Sequence, residues 1–164
     1  MESGYIAKKY EDSIYEKWEK SGAFKAKVNK NKKAFTISMP PPNATGVLHL
    51  GHAVMLALED IMIRHHRMLG EESLWIPGTD HAAIATQSVV EKMLQAKGIK
   101  NPRVELGRKK LLKEIHNFAE DSKENIRNQI RKMGASCDWE KEKYTMDEDL
   151  NTAVNTLFKY MHED

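Results

Sequence analysis

The sequence predicts an α/β fold with a parallel sheet, an amino-terminal helix and long flanking helices. Two short apolar stretches with strand character, at residues 34–39 and 73–76, are each followed by a longer segment with helical periodicity. Strands and helices that alternate in this order are typical of parallel sheets with right-handed crossovers. Ligands of such sheets bind outside the carboxyl ends of the strands, so the loops that leave these two strands are the candidate functional segments.

The composition is that of a globular domain. The chain has 164 residues with 26 Lys+Arg and 24 Asp+Glu, and 40% of its residues are hydrophobic. These values exclude a disordered or fibrous protein. The sequence has no apolar run of 18 residues and its first residues include acidic ones, so we expect neither a membrane span nor a secretory signal. The single cysteine, Cys137, fits a reducing compartment, and the cytoplasm is the predicted location.

The first element is predicted to be an amphipathic helix. Its apolar stripe, at a spacing of four residues, comprises Ile6, Tyr10, Ile14 and Trp18. Gly22 follows the stripe and is a typical helix end. We expect this helix to pack through its stripe and to form an amino-terminal helical extension at residues 1–33. Residues 34–164 are expected to form one compact unit.

The next elements alternate between strand and helix. Residues 34–39 alternate apolar and small polar side chains, which predicts a strand, and the three prolines at residues 40–42 end it. The elements that follow are a helix ending at Met68 before Gly70, a strand at residues 73–76 that Pro77 stops, and a helix at residues 82–97 that Gly98 ends.

Two further helices are predicted in the second half of the chain. A long helix from about residue 105 to residue 133 has the stripe Leu111, Ile115, Phe118, Ser122, Ile126, Ile130 and Met133. Asp147 is a candidate N-cap for a last helix with the apolar face Leu150, Val154, Leu157 and Met161. Residues 97–132 carry 11 basic and 5 acidic side chains. This basic block is either solvated surface or a face for RNA or another partner.

Two histidines lie where the loop after the first strand enters a helix. His49 and His52 are three residues apart, so both rings lie on nearly one face beside free backbone N–H groups. A helix amino end with imidazole donors favours an anion such as phosphate, and Gly51 lets a ligand approach the backbone. A structural role of either histidine as a cap or packing residue is the alternative. Zinc binding is disfavoured, because the spacing is not four and no carboxylate lies between the two residues.

Polar side chains also follow the second strand. Asp80 lies just before the helix at residues 82–97, at the expected mouth of the same crevice, where its carboxylate could hold an ammonium group. It could equally be the N-cap of that helix. Asn43 has the same two interpretations, as a turn former after proline or as an amide in the pocket.

These segments together resemble one family. Residues 40–53 read PPPNATGVLHLGHA, which resembles the His-x-Gly-His signature of the class I aminoacyl-tRNA synthetases in the form found in valyl enzymes. Residues 78–87, GTDHAAIATQ, are similar to a second stretch of the valyl group, in which the position of Ala83 is commonly glycine. The resemblance continues through residues 133–139 and 145–147. It implies the first half of a Rossmann-like nucleotide-binding domain.

The resemblance also implies an activity and a set of site residues. Valine and ATP, with Mg²⁺ accompanying the nucleotide, would form valyl-adenylate, and the valyl group would pass to tRNA(Val). His49 and His52 would be catalytic residues that contact the phosphates. The residues expected at ATP are Thr45, Gly46, His49, Gly51 and His52. Those expected at the amino acid are Pro41, Asn43 and Asp80, with Asn43 and Asp80 on its ammonium group. The resemblance implies no protein metal ligand.

Members of this family are much longer. Their editing domain, second catalytic half, Lys-Met-Ser-Lys-Ser loop and anticodon-binding domain have no counterpart in this sequence. We therefore expect the remainder of a synthetase as a partner, and an isolated chain that is weakly active or inactive. The alternatives are a non-catalytic relative that binds RNA or a partner through residues 97–132, and another ATP-dependent adenylating enzyme of the same fold.

Overall fold

The computed structural model describes residues 4–164, which form two compact units. The first unit consists of the described residues up to Pro40 with Leu48–Pro77 and Arg127–Glu142, and the second consists of Pro41–Val47, Gly78–Ile126 and Lys143–Asp164. Each unit is therefore built from segments that are distant in the sequence. The predicted division after residue 33 stays a prediction.

Six helices and four strands occur among the described residues. The helices are α1 (Ala7–Ser21), α2 (Leu50–Met68), α3 (Ala83–Ala96), α4 (Pro102–Glu105), α5 (Gly107–Lys132) and α6 (Glu148–Glu163). The strands are β1 (Ala34–Ser38), β2 (Glu72–Ile76), β3 (Gly78–Thr79) and β4 (Lys143–Tyr144). The predicted α/β class and the predicted order of the first elements are confirmed. None of the helices in the described part of the chain is both long enough and apolar enough to cross a membrane.

The first unit contains a parallel pair of strands covered by a helix. Strands β1 and β2 are paired in register from Ala34 opposite Glu72 to Ser38 opposite Ile76. Helix α2 packs against both strands. Trp75 of β2 is fully buried, and its indole Nε1–H donates to a carboxylate oxygen of Glu59 on α2 at 2.9 Å. The strand pair and α2 therefore form one α/β layer, as the periodicity of the sequence predicts.

Helix α1 forms where it is expected, but its buried residue lies outside the predicted stripe. It ends at Gly22, whose φ of +73° favours glycine. The predicted stripe stays largely exposed, with Ile14 and Trp18 both 40% accessible. Tyr15 is the buried residue instead, because its hydroxyl donates to the Ala135 carbonyl at 2.7 Å and accepts from Trp139 Nε1–H at 2.8 Å. Trp18 of the predicted stripe packs in part, with its ring near Phe24 and Arg64, whereas Tyr15 was missed by the apolar spacing.

Helix α2 is also held by a polar network along its second half. The Asp60 carboxylate accepts from the Ser136 backbone N–H at 2.9 Å, from the Ser136 hydroxyl at 2.5 Å and from Arg64 at 2.6 Å. Arg64 donates a second bond to the Gly134 carbonyl, and Arg67 donates to both oxygens of Ser136. These contacts join α2 to the segment that follows α5.

The second unit contains a pair of two-residue strands that the sequence does not predict. Strands β3 and β4 are parallel, with Gly78 opposite Lys143 and Thr79 opposite Tyr144. The Thr145 N–H extends the pairing by donating to the Thr79 carbonyl at 3.2 Å. A Cβ at Gly78 would lie 2.9 Å from the Lys143 carbonyl oxygen, so this close approach requires glycine.

The core of the second unit lies between helices. Val90 and Leu94 of α3 pack with Leu111 of α5, and partly buried Ile99, Leu106, Ile115 and Phe118 surround them. The helix predicted from about residue 105 to residue 133 is confirmed as α5, which begins at Gly107, where a φ of +70° separates it from the short α4. Most of the predicted stripe of α5 is buried or partly buried.

The last helix, α6, forms without the contacts expected of it. Its predicted apolar face is exposed, with Val154 67% and Leu157 61% accessible. Asp147 occupies the N-cap position, as expected, but makes no capping bond to the helix. Its carboxylate accepts instead from the Tyr144 N–H at 2.8 Å.

Helix α3 begins with two alanines in left-handed backbone conformations. Ala82, at the N-cap position, has a φ of +50°, and Ala83 has a φ of +33°. A left-handed conformation costs a residue with a Cβ roughly 1–2 kcal/mol. Glycine avoids most of this cost, which agrees with the glycine common at the position of Ala83 in the family that the sequence resembles.

We predict that Ala83→Gly raises the free energy of unfolding by about 1 kcal/mol, because strain is relieved while the unfolded chain becomes more flexible. Ala85→Gly, in the same helix but without a positive φ, is the matched control and should lower it by roughly 0.5–1 kcal/mol. Urea denaturation of both variants measures the difference. Equal destabilisation by the two changes would refute the strain at Ala83.

We predict that Asp60→Ala lowers the free energy of unfolding by about 2–4 kcal/mol, because Arg64 and the Ser136 N–H lose a partner in a half-buried network. The control is Lys20→Ala, which removes an exposed ion pair with Glu16 and should leave the denaturation midpoint unchanged. A midpoint for Asp60→Ala that equals that of the control would contradict the structural role of the network.

Candidate functional site

The first candidate site lies at the amino end of α2, where two histidine side chains cap the helix. His49 is at the N-cap position, and its Nδ1 accepts from the Gly51 N–H at 3.1 Å. His52 Nδ1 accepts in return from the His49 N–H at 3.2 Å. This is the reciprocal arrangement of a capping box, with imidazoles in place of the usual hydroxyl and carboxylate.

The capping contacts fix which ring nitrogen carries a proton. Each Nδ1 accepts a hydrogen bond, so in the neutral rings of His49 and His52 the proton is on Nε2. The ring centroids are 3.9 Å apart with an interplanar angle of 38°. Burial lowers the pKa of His52, and the neighbouring His49 lowers it further. The pair therefore presents two Nε2–H donors beside the positive end of a helix, an arrangement that suits an anion.

Gly51 is required by the ring of His49. A Cβ at this position would lie 2.9 Å from His49 Cε1 and 3.1 Å from His49 Nδ1. Any larger residue would therefore displace the imidazole that caps the helix. The expected role of Gly51 in leaving room for a nucleotide stays a prediction, and the contact with His49 is a second reason for glycine.

Gln129 of α5 holds the loop that leads into α2. Its side-chain oxygen accepts from the Leu48 N–H at 2.8 Å, immediately before His49. Sequence reasoning missed this residue, because Gln129 is distant from the motif in the chain and no pattern marks a single glutamine. The bond makes Gln129 a candidate positioning residue for the histidine pair.

The second candidate site lies in the second unit, where the loop after β1 runs beside the end of β3. The Asp80 N–H donates to the Pro42 carbonyl at 2.8 Å, and the Ala44 N–H donates to the Asp80 carbonyl at 2.7 Å. This parallel bridge places Asn43 opposite Asp80. The two residues expected at an ammonium group therefore lie side by side.

The carboxylate of Asp80 is held in place by its neighbours. Its Oδ1 accepts from the Ala82 N–H at 2.8 Å and from the Thr145 hydroxyl at 3.2 Å, while the side chain stays 37% exposed. The N-cap position of α3 is Ala82, so Asp80 does not cap that helix in the ordinary way. Thr145 and His81 complete this group, and sequence reasoning gave neither of them a role.

The remaining predicted site residues lie in the second unit. Pro41 is exposed, and Thr45 and Gly46 are half-buried. The Thr45 N–H donates to the Asn43 carbonyl at 2.8 Å. The structure thus brings together His49, Gly51 and His52 in the first unit, and Asn43 and Asp80 in the second. Within residues 4–164, no group of three or more His, Cys, Asp or Glu side chains is arranged to hold a metal ion.

Comparison with known proteins identifies the class to which this fold and these sites belong. Residues 13–164 match the family described as tRNA synthetases class I (I, L, M and V). The chain therefore belongs to the class I tRNA synthetases. The relatives found among curated proteins then narrow the resemblance to the valine enzymes.

The chain is 49% identical over 164 residues to the valine–tRNA ligase of Clostridium acetobutylicum, covering 100% of this chain and 18% of that protein. It is 51% identical over 153 residues to a chloroplastic/mitochondrial valine–tRNA ligase of Arabidopsis thaliana, covering 93% of this chain and 16% of that protein. It is 48% identical to the Treponema denticola valine–tRNA ligase, covering 99% of this chain and 18% of that protein. The chain thus spans less than a fifth of these relatives.

A solved structure supports the fold. The leucyl-tRNA synthetase of Agrobacterium radiobacter K84, crystallised as a ternary complex with tRNA and LeuAMS, superposes with a TM-score of 0.79. The match covers 98% of this chain and 18% of that chain, at 18% sequence identity. The predicted Rossmann-like fold of the class I synthetases is confirmed.

We predict that His52 titrates below its ordinary pKa of 6.5 and that His49→Asn moves its pKa partway back. Asparagine keeps a capping acceptor but removes the neighbouring positive charge, while burial, the larger cause, remains. NMR titration of the ring protons measures the change, with His162→Asn as the control that leaves the His52 titration unaltered. Because the pKa of His52 is lower in the folded chain than in the unfolded chain, protonation of its ring favours the unfolded chain. The free energy of unfolding therefore has its full value above about pH 6.5 and falls as the pH drops through the folded pKa. A wild-type value at or above 6.5 would contradict the prediction.

Proposed function

We propose that this chain is the amino-terminal part of the catalytic domain of a valine–tRNA ligase. It would activate valine with ATP to form valyl-adenylate and pyrophosphate, and the valyl group would then be transferred to tRNA(Val). The observation that carries the proposal is the histidine-capped amino end of α2, in a chain that is 45–51% identical to valine–tRNA ligases along most or all of its length.

The first unit would act on the phosphates of ATP. With both Nδ1 atoms engaged by the backbone, the Nε2–H groups of His49 and His52 are the donors available to phosphate oxygens. Negative charge grows on the α-phosphate oxygens as the valine carboxylate attacks and pyrophosphate leaves. Donors that are already oriented stabilise this charge without reorganisation, and the helix dipole acts in the same direction. Gly51 of the first unit, and Thr45 and Gly46 of the second unit, are proposed to contact the nucleotide as well.

The second unit would hold the amino acid. The ammonium group of valine needs an anionic partner, and the Asp80 carboxylate is partly exposed and fixed through Oδ1. Asn43, paired with Asp80 through the backbone, would supply an amide oxygen to the same group. Pro41 is proposed to line the pocket. This assignment supports an α-amino acid substrate, and the valine preference rests on the relatives.

The other components follow from this reaction. Mg²⁺ would arrive with ATP as part of the substrate, neutralising phosphate charge. The remainder of the synthetase and tRNA(Val) are the proposed partners, and the cytoplasm stays the proposed location. Because the chain spans about 18% of its bacterial relatives, we expect the isolated chain to be weakly active or inactive.

We predict that valine-dependent exchange between pyrophosphate and ATP appears when this chain replaces the matching segment of the Clostridium acetobutylicum relative. Isoleucine and threonine should support much less exchange. His49→Ala and His52→Ala should each lower the rate by about 100-fold or more, since each removes a donor to the developing charge. The His162→Ala variant is the matched control and should retain the rate. Histidine variants with wild-type rates would refute the catalytic role, and exchange driven by another acid would refute the substrate.

A further inference from the structure

The group around Asp80 contains one hydroxyl, that of Thr145, which makes three polar contacts. Thr145 Oγ1 lies 2.8 Å from the His81 backbone N, 2.5 Å from His81 Nδ1 and 3.2 Å from Asp80 Oδ1. Its own backbone N–H donates to the Thr79 carbonyl. All of these residues belong to the second unit, and none had a role in the predicted site except Asp80.

With the Thr145 hydroxyl as the donor to Asp80 Oδ1, the other protons of the group follow. A threonine hydroxyl donates one hydrogen bond and accepts two. The His81 backbone N–H uses one acceptor position. An ionised Asp80 can only accept, so the single hydroxyl proton of Thr145 goes to Asp80. The second acceptor position of Thr145 must then be filled by His81 Nδ1, which therefore carries a proton.

The surroundings keep His81 in this position. The Thr86 hydroxyl donates to the His81 carbonyl at 2.6 Å, which fixes the backbone, and Thr86 itself is buried. Two residues face the ring of His81. Asp80 Oδ1 lies 3.5 Å from Nδ1, and the ring centroid of Tyr144 lies 6.4 Å from that of His81. The ammonium group of Lys123 lies over the Tyr144 ring. The neutral Nδ1–H form and the imidazolium both donate to Thr145, so the pattern survives a change in the charge of the ring.

We propose that Thr145 and His81 are positioning residues for the ammonium-binding carboxylate of Asp80. His81 Nδ1–H orients the Thr145 hydroxyl, and the hydroxyl together with the Ala82 N–H holds Oδ1 of Asp80. The carboxylate is then fixed with its second oxygen, Oδ2, as the acceptor for the ammonium group. This inference rests on the proposed function, because it assumes that Asp80 binds the amino group of the substrate.

The kinetic test removes the hydroxyl alone. In the hybrid enzyme, where this chain replaces the matching segment of the Clostridium acetobutylicum relative, Thr145→Val should raise the KM for valine in pyrophosphate exchange by about 10-fold, with the KM for ATP changed less than twofold. Thr145→Ser keeps the hydroxyl and should stay near the wild type. Thr152→Val, on exposed α6, is the matched control and should change neither constant. A Thr145→Val variant with the wild-type KM for valine, or with equal changes in both KM values, would overturn the proposal.

A second measurement needs neither activity nor a variant. The ¹⁵N chemical shifts of the His81 ring in the wild-type chain report which nitrogen carries the proton. A protonated Nδ1 is expected, and a neutral ring with its proton on Nε2 would overturn the proposal even if Thr145→Val failed to fold. Absence of valine-dependent exchange in the hybrid enzyme with the wild-type segment would instead refute the proposed function, and the role in ammonium binding would fall with it. A protonated Nδ1 together with an unchanged KM would refute the positioning role alone.

Discussion

The first unit depends on how the backbone N–H groups at the amino end of helix α2 find hydrogen-bond acceptors. The first N–H groups of a helix have no partners within the helix. In this chain the partners are the Nδ1 atoms of His49 and His52. The cap fixes the orientation of both imidazole rings and places the proton of each neutral ring on Nε2. It also requires glycine at position 51, because a Cβ there would contact the ring of His49. The second half of the helix is fixed independently by Asp60 and Arg67 through Ser136. A helix held along its length in this way can keep the two ring donors in fixed orientations.

In the second unit, too, a side chain is held by the fold through only one of its two polar atoms. Asp80 uses Oδ1 for its contacts with Ala82 and Thr145, just as each histidine uses Nδ1 for the helix. One atom of each side chain is engaged by the fold, and the other is available to a ligand. Such side chains have few alternative rotamers, because leaving the observed one would unpair a backbone N–H. Their structural and functional interpretations, which the sequence leaves open, are therefore compatible.

The periodicity of the sequence was sufficient to predict β1, α2, β2 and α3, because these elements are long enough to show a period. The two-residue strands β3 and β4 show none, and their pairing joins segments far apart in the chain. The residues of the motif could be found from the sequence, since spacing and glycine content mark them. Gln129 and Thr145 could not, because they act through hydrogen bonds to residues that are distant in the chain. The burial of Tyr15 in place of its apolar neighbours depended likewise on two polar contacts of its hydroxyl.

The motif at residues 40–53 is continuous in the sequence although it serves both units. Residues 41–47 belong to the second unit, where the backbone around Asn43 pairs with Asp80. Leu48 and the residues after it belong to the first, where they begin the histidine-capped helix. The segment therefore satisfies two local requirements. Its first part is a proline-rich extended backbone that pairs with a strand end, and its second part is a helix start with Gly51 between the two capping histidines. A substitution within it is constrained by whichever unit holds the residue. The contacts that support the segment come from distant parts of the chain, from Gln129 to Leu48 and from Asp80 to the backbone around Asn43.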